Sequence, residues 1–337
     1  MTSPSDGPAD DRPAEFAPGG AFSYREGFRS GFACFVGRPN VGKSTLMNAL
    51  VGTKVAITSS RPQTTRRAIR GIVHRPDAQL IIVDTPGLHR PRTLLGERLD
   101  SLARSTLTEV DVIGFCVPAN EPVGPGDRFI ARELDRVRQT PVVAIVTKAD
   151  LAGRKQLADR LLEVGELAEW ADIVPVSAVG RPKEEARGAA ADGPGFQLDV
   201  VADLLIARLP EGMPLYPEGE LTDEPEQILA AELIREAALE GVRDELPHSI
   251  AVVVEEMGPR AGRDDLIDVY ARLFVERPSQ KAIVIGAKGT RLKDVGTRAR
   301  KQIEALLGAR VFLDLRVKVA KDWQRDPKQL RRLGFYD

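Results

Sequence analysis

Residues Gly37-Arg38-Pro39-Asn40-Val41-Gly42-Lys43-Ser44 fit the pattern G-x-x-x-x-G-K-[ST] without a mismatch. The apolar run Gly31-Phe32-Ala33-Cys34-Phe35-Val36 before them has the length of a strand, and Thr45-Leu46-Met47-Asn48-Ala49-Leu50-Val51 after them reads as a helix. A strand, a glycine loop and a helix in that order form a phosphate cradle. The glycines let successive N–H groups point inward, and the helix N-terminus adds its positive end. Lys43 supplies a charge for the β- and γ-phosphates, and the Ser44 hydroxyl can ligate Mg²⁺. The bland alternative is a glycine-rich turn that binds nothing, so the reading depends on the rest of the chain.

Around this loop, strand-like and helix-like segments alternate from Gly31 to about Leu209. Strands are expected at Gly31–Val36, Ala68–His74, Leu80–Val83, Val110–Val117, Val142–Val146 and Ile173–Val176. Helices are expected around Lys43–Val51, Leu94–Thr106, Asp127–Arg138, Leu151–Val164 and Leu198–Leu209. Continuously apolar strands such as Val142-Val143-Ala144-Ile145-Val146 suit a mainly parallel sheet buried on both faces. The expected fold class is a doubly wound α/β domain, which binds ligands at the carboxyl ends of its strands.

Further motifs fall at those ends. In Asp84-Thr85-Pro86-Gly87-Leu88 an aspartate can hold Mg²⁺ through water, and the Gly87 N–H can reach a γ-phosphate. In Thr147-Lys148-Ala149-Asp150 the last carboxylate can accept from two adjacent donors on a guanine edge, which adenine does not provide. Ser177-Ala178 can offer an N–H to the base carbonyl. A helix-capping role is the simpler alternative for Asp84 or Asp150 taken singly. The ordered set argues for a nucleotide site.

The 337 residues suffice for two domains with tails, and 42% hydrophobic and 29% charged residues are ordinary for a globular protein. No apolar run approaches the ~18 residues of a membrane span, and no secretory leader is visible, so a cytoplasmic location is expected. Cys34 and Cys116 read as buried packing residues. The net charge of −1 conceals an asymmetry: Glu211–Glu240 carries nine acidic residues and one arginine, whereas Lys281–Asp337 carries fifteen Lys/Arg and six Asp/Glu. A basic C-terminal end points to a polyanionic partner, or else to a solvated basic surface.

The expected boundaries are a disordered extension over 1–27, a nucleotide domain over 28–209, a proline-marked linker over 210–225 and a second domain over 226–337. Arg181–Gly195 reads as an exposed insertion. In the second domain, Thr222 or Asp223 is expected to cap a helix reaching about Glu245, followed by strands Ser249–Glu255 and Leu266–Glu276. After a short helix comes Gly286-Ala287-Lys288-Gly289, then a long helix carrying Leu292, Val295, Ala299, Ile303 and Leu306. A closing strand, Val311–Val319, is expected to bury its odd-numbered residues. The G-x-x-G loop between two helices matches the clamp with which KH domains hold single-stranded nucleotides, although alone it is also an ordinary helix-terminating turn. Lys288, Arg291, Lys293 and Arg298 surround it as candidate RNA contacts, with Lys301 beside them. Trp323 and Phe335-Tyr336 can stack on bases, or dock back on the domain. His248 reads as surface polar.

The first half resembles the translation-factor-related GTPases. That resemblance implies GTP as substrate and GDP as product, with contacts along Gly37–Thr45, Asp84–Leu88, Thr147–Asp150 and Ser177-Ala178. It also implies a switch threonine at Thr65, in Thr64-Thr65-Arg66, with Mg²⁺ held by Ser44, Thr65 and Asp84. Lys43, Thr65 and Gly87 would then form the catalytic set. Two departures stand out: Thr147 where asparagine is commoner, and Leu88 where many relatives carry a catalytic glutamine. His89 beside it reads as a switch residue. Asn40 matches an asparagine that helps bind K⁺ in potassium-activated members.

A GTPase domain followed by a type II KH domain is the architecture of the Era family of bacterial ribosome-assembly GTPases. The stretches G-R-P-N-V-G-K-S-T-L, Q-T-T-R, D-T-P-G-L-H, I-G-A-K-G and L-G-F-Y carry that resemblance. It implies binding of the 16S rRNA 3′ end, a role in small ribosomal subunit maturation and, for some members, peripheral association with the inner membrane. No DNA partner is expected. Two other readings remain open here: an RNA-binding module with GTP as a structural ligand, and an assembly GTPase whose KH-like domain docks a protein.

Overall fold

The computed structural model describes residues 26–58, 65–86, 93–137, 139–180, 195–242 and 246–335. The expectations for residues 1–25, Thr64, Gly87, Leu88, His89, Arg138, Glu245, Tyr336 and the insertion over 181–194 lie outside them.

The first domain carries β1 (Arg29–Val36), α1 (Lys43–Val51), β2 (Ile69–Arg75), β3 (Ala78–Asp84), α2 (Leu94–Glu109), β4 (Val112–Pro118), α3 (Pro125–Leu134), β5 (Val142–Thr147), α4 (Arg154–Gly165), β6 (Asp172–Pro175) and α5 (Leu198–Ile206). Six strands form one sheet in the order β2-β3-β1-β4-β5-β6. All pairings are parallel except that of edge strand β2 with β3. Every residue of β3 and β4 is buried, which is why these strands read as unbroken apolar runs. Chains leaving neighbouring β1 and β4 turn to opposite sides, which opens a crevice at their carboxyl ends. Cys34 and Cys116 are buried in two different clusters, one on each face of the sheet.

Helix limits shift for local reasons. α3 starts earlier than the periodicity suggests: Pro125 takes the first position, where its missing N–H costs nothing, and the Asp127 carboxylate accepts from Gly124 N at 2.9 Å. α4 starts later, because a 3-10 turn over Ala149–Leu151 intervenes.

The second domain contains α6 (Glu226–Leu239), α7 (Leu246–Ser249), β7 (Ala251–Arg260), β8 (Arg263–Val275), α8 (Pro278–Ile285), α9 (Thr290–Leu307), β9 (Arg310–Val319) and α10 (Pro327–Arg332). Its sheet runs β7-β8-β9, antiparallel then parallel. α6 is shorter than expected at both ends. Pro225 occupies the N-cap position, and Asp223 is spent on Arg70 at 2.9 Å and on the Tyr216 hydroxyl at 2.7 Å. At the other end Glu240 is extended and Gly241 has φ 69°, a left-handed conformation that stops the helix. Alternation in β9 holds at Val311 and Val317, leaves Leu313 and Leu315 half-buried, and fails at Val319, which is exposed.

The proline-marked segment between the domains is strapped to the first one. Gln79 accepts from the N–H groups of Leu215 and Tyr216 and donates to the Tyr216 carbonyl, and Ile72 N donates to Leu221 O at 2.9 Å. α6 is buried on nearly all sides, Glu232, Arg235 and Glu236 included. One side packs into the second domain and the other meets the first, so an all-round buried helix is what this position demands.

Candidate GTP site and KH clamp

The phosphate loop leaves β1 at Gly37. A Cβ there would stand 2.4 Å from the Cys116 carbonyl and 2.9 Å from Val41, so only glycine allows the loop to pass this close to β4. Arg38 points its guanidinium away from the loop, to Asp127 at 2.8 Å and Glu121 at 3.3 Å. This anchors the loop backbone on the start of α3, an arrangement joining residues too far apart in sequence to signal it. Lys43 is buried and donates to the carbonyls of Gly37 and Arg38, both at 3.0 Å. Burial pushes its ammonium below the usual lysine range, opposed by the charge of Asp84.

Three oxygens expected to serve one metal do converge. Ser44 Oγ donates to Asp84 Oδ2 at 2.7 Å, and Thr65 Oγ1 donates to the same oxygen at 2.9 Å. The two hydroxyls lie 3.4 Å apart. Asp84 Oδ1 is buried without a hydrogen-bond partner among the described residues. Burial pushes this carboxyl up, against the Ser44 bond, the Lys43 charge and the Thr65 bond. One carboxylate and two hydroxyls, with an orphaned buried oxygen, fit Mg²⁺, a hard cation that takes few protein oxygens and fills its octahedron with water and phosphate. No group of three His, Cys, Asp or Glu among the described residues offers another metal site. Thr85 faces inward and spends its hydroxyl on the Phe35 carbonyl at 3.1 Å.

At the far end of the crevice, Thr147 Oγ1 donates to Val41 O at 2.5 Å and reaches Val117 O at 3.4 Å. Lys148 is left-handed, φ 56°, and Ser177 Oγ donates to Asp150 Oδ1 at 2.6 Å. Ala149 N donates to Val176 O at 3.1 Å, so the Thr147–Asp150 and Ser177-Ala178 segments are brought side by side. Asn48 adds a contact that the motif gives no hint of: its side chain holds the backbone of Val55 and Ala56.

In the second domain, Gly286 (φ 73°) and Gly289 bracket a 3-10 turn between α8 and α9. A Cβ at Gly286 would meet Arg291 Cβ at 2.7 Å, so the turn needs glycine there. Lys288 and Lys293 are exposed. Arg291 and Arg298, by contrast, are engaged within the fold. Arg291 donates to the carbonyls of Ala238 and Glu240 at the end of α6, at 3.2 and 2.8 Å. Arg298 pairs with Asp294 at 2.7 Å and with Glu240. Trp323 is fully buried and stacks on Phe335, centroids 5.7 Å apart, so these aromatics dock on the protein.

The two domains meet beside the cluster of Ser44, Thr65 and Asp84 oxygens. Ile57 inserts into the core of the second domain. Leu95 and Leu99 of α2 pack with Ala251, Phe274, Trp323, Leu330 and Leu333. Arg66, adjacent to Thr65, donates to the carbonyls of Pro247, His248 and Ile250.

A family model described as 50S ribosome-binding GTPase matches residues 32–148, and a KH-domain model matches residues 245–324. The chain is 67% identical over 315 residues to GTPase Era of Streptomyces coelicolor, covering 91% of this chain and 95% of the relative. It superposes with TM-score 0.83 and 37% identity on a crystal structure of Era in complex with MgGDPNP and nucleotides 1506–1542 of 16S ribosomal RNA. The figures are the same for a point variant of Aquifex aeolicus Era bound to GDP·AlF4⁻, and both matches cover 92% of this chain and all of the other. With a nucleotide domain and a KH domain in this order, and such identity across nearly the whole length, the chain belongs to the Era family of GTPases.

Proposed function

We propose that this GTPase is a molecular switch whose nucleotide state controls the grip of its KH domain on the 3′ region of 16S rRNA during small-subunit maturation. The observation that carries the reading is the joining of the two sites. The Ser44–Thr65–Asp84 oxygen cluster lies one residue from an arginine held by KH-domain carbonyls. The Era complex with nucleotides 1506–1542 supports the choice of RNA.

Lys43 and the loop N–H groups stabilise charge that develops on the phosphates, with the Gly87 N–H on the γ-phosphate. Ser44, Thr65 and Asp84 hold Mg²⁺, which neutralises phosphate charge when bound. Asp150 selects guanine, and Ala178 N–H meets the base carbonyl. In the clamp, the backbone of Gly286-Ala287-Lys288-Gly289 follows the RNA and Lys288 and Lys293 meet phosphates. Arg291 and Arg298 serve chiefly to hold α9 on α6. Asn40 at the loop tip supports K⁺ stimulation; equal turnover in KCl and NaCl would remove that part. The working boundaries are a G domain over 28–209, a linker over 210–225 and a KH domain over 226–337. A cytoplasmic location, with peripheral contact to the inner membrane, completes the reading. No helix among the described residues is long and apolar enough to cross a membrane.

The test is binding of a 16S 3′-end oligonucleotide in the presence of GDP, GTP or a non-hydrolysable GTP analogue. A scrambled oligonucleotide and one from large-subunit rRNA serve as comparisons. Tighter, sequence-selective binding in the triphosphate state, lost on Lys288→Asp, is expected. Equal binding in all states would refute the switch.

A further inference from the structure

Arg66 is 2% exposed. Its guanidinium donates to Ile250 O at 2.7 Å, His248 O at 2.8 Å and Pro247 O at 3.1 Å, and it lies 5.7 Å from the centroid of the buried Trp323 ring. Arg66 Nε has no hydrogen-bond partner among the described residues. An arginine held this way satisfies three backbone carbonyls of the KH domain. It also gives a fixed position to the residue beside it. That residue is Thr65, whose hydroxyl stands 2.9 Å from Asp84 Oδ2.

The KH domain holds the chain a second time, ahead of Thr65. Glu236 of α6, itself buried, accepts from Thr58 N at 2.8 Å and Thr58 Oγ1 at 3.2 Å, and it pairs with Lys54. Ile57 is buried in the KH core beside it. The KH domain therefore grips the chain at Thr58 and at Arg66, before and after Thr65.

We infer that Arg66 and Glu236 are positioning residues for the GTPase reaction: they hold Thr65 where it serves the metal and the γ-phosphate, so this part of the GTP site is completed by the KH domain. The inference rests on the assignment of Thr65 as a ligand of the triphosphate state. Its energetic sense is pre-organisation, since a ligand group already in place adds no ordering cost when Mg·GTP binds. GDP has no γ-phosphate and draws nothing from Thr65, so the effect is selective for the triphosphate.

The test uses the full chain with Arg66→Met, which keeps the volume, and Glu236→Ala, with Glu236→Gln as the conservative form. Affinities for Mg·GDPNP and for GDP are measured by calorimetry, and turnover is followed against Mg²⁺ concentration. In Arg66→Met and Glu236→Ala, GDPNP affinity should fall about tenfold while GDP affinity stays within about twofold, and the Mg²⁺ midpoint should rise. Glu236→Gln, which still accepts from Thr58, should lie close to the parent. If Arg66→Met fails to fold, Glu236→Ala and Glu236→Gln decide alone. A GDPNP/GDP ratio equal to the parent's in the folded variants overturns the inference. Oligonucleotide binding by the parent is scored separately: loss of its nucleotide dependence removes the switch, whereas the ratio in the variants concerns only the placing of Thr65.

Discussion

The Thr147 hydroxyl donates to the Val41 carbonyl at 2.5 Å, and this bond ties the Thr147–Asp150 end of the crevice to the Gly37–Ser44 loop. Threonine at this position therefore provides a link between the two halves of the crevice. Thr147→Val keeps the shape and removes the donor, leaving a buried carbonyl short of a partner. Loss of about 1–3 kcal/mol of stability is expected, with a clear fall in GDP affinity. Thermal melts and GDP calorimetry on one preparation measure both.

Asp84 is where stability and function should separate. Burial makes its charge unfavourable in the folded chain, and Asp84→Asn keeps an acceptor for Ser44 and Thr65. Without nucleotide, the variant should melt no lower than the parent. Hydrolysis should fall by about 10²-fold or more, the scale of losing one electrostatic contact to a transition state. Melts without ligand and turnover across a Mg²⁺ series provide the comparison.

Lys288 and Arg291 should behave differently although both flank the clamp. Lys288 is exposed, so Lys288→Asp should lower RNA affinity and flatten its salt dependence while leaving the melting temperature near the parent's. Arg291 holds the last carbonyls of α6. Arg291→Met should cost about 1–3 kcal/mol in stability, visible in denaturant titrations without any RNA.

Tyr216 gives the linker strap a pH signature. Burial and its bond to Asp223 push the phenol up to about 12 from an ordinary value of 10.0. A folded-state value above the unfolded one means that its stabilisation is fully present below about pH 10 and is lost as pH rises toward about 12. The ultraviolet titration of tyrosinate should contain a late step that Tyr216→Phe removes. The variant should also lose part of the alkaline fall in stability.

Trp323 is the largest fully buried side chain, and Arg66 and Phe335 both lie against its ring. Trp323→Ala should cost about 3–5 kcal/mol. It should also loosen α2, whose Leu95 and Leu99 share that cluster. Amide exchange in α2 rising together with that of α10 would show the coupling, and protected α2 amides would contradict it.

The local physics of the chain was legible in the sequence. The glycine loop, the apolar runs of β3 and β5, and the spacing of α9 are each dictated by nearest neighbours and periodicity, so they read correctly from residue types alone. The same holds for the ordered motifs at the strand ends, since a strand's end and the loop after it are contiguous. Where a distant partner intervenes, local signals fall short: Asp223 bonds Arg70 and Tyr216 and does not cap α6, and the Arg291 guanidinium reaches the end of α6.

Tertiary structure alone sets Arg38 on Asp127, brings Glu236 to Thr58, and sends Arg66 into the KH domain beside Thr65. A polar side chain carries no record of its partner. When two partners stand far apart in the chain, sequence shows a donor and an acceptor but not their meeting, because burial and packing choose which of many possible bonds forms. The two sites were written locally, whereas their connection exists only in the folded protein.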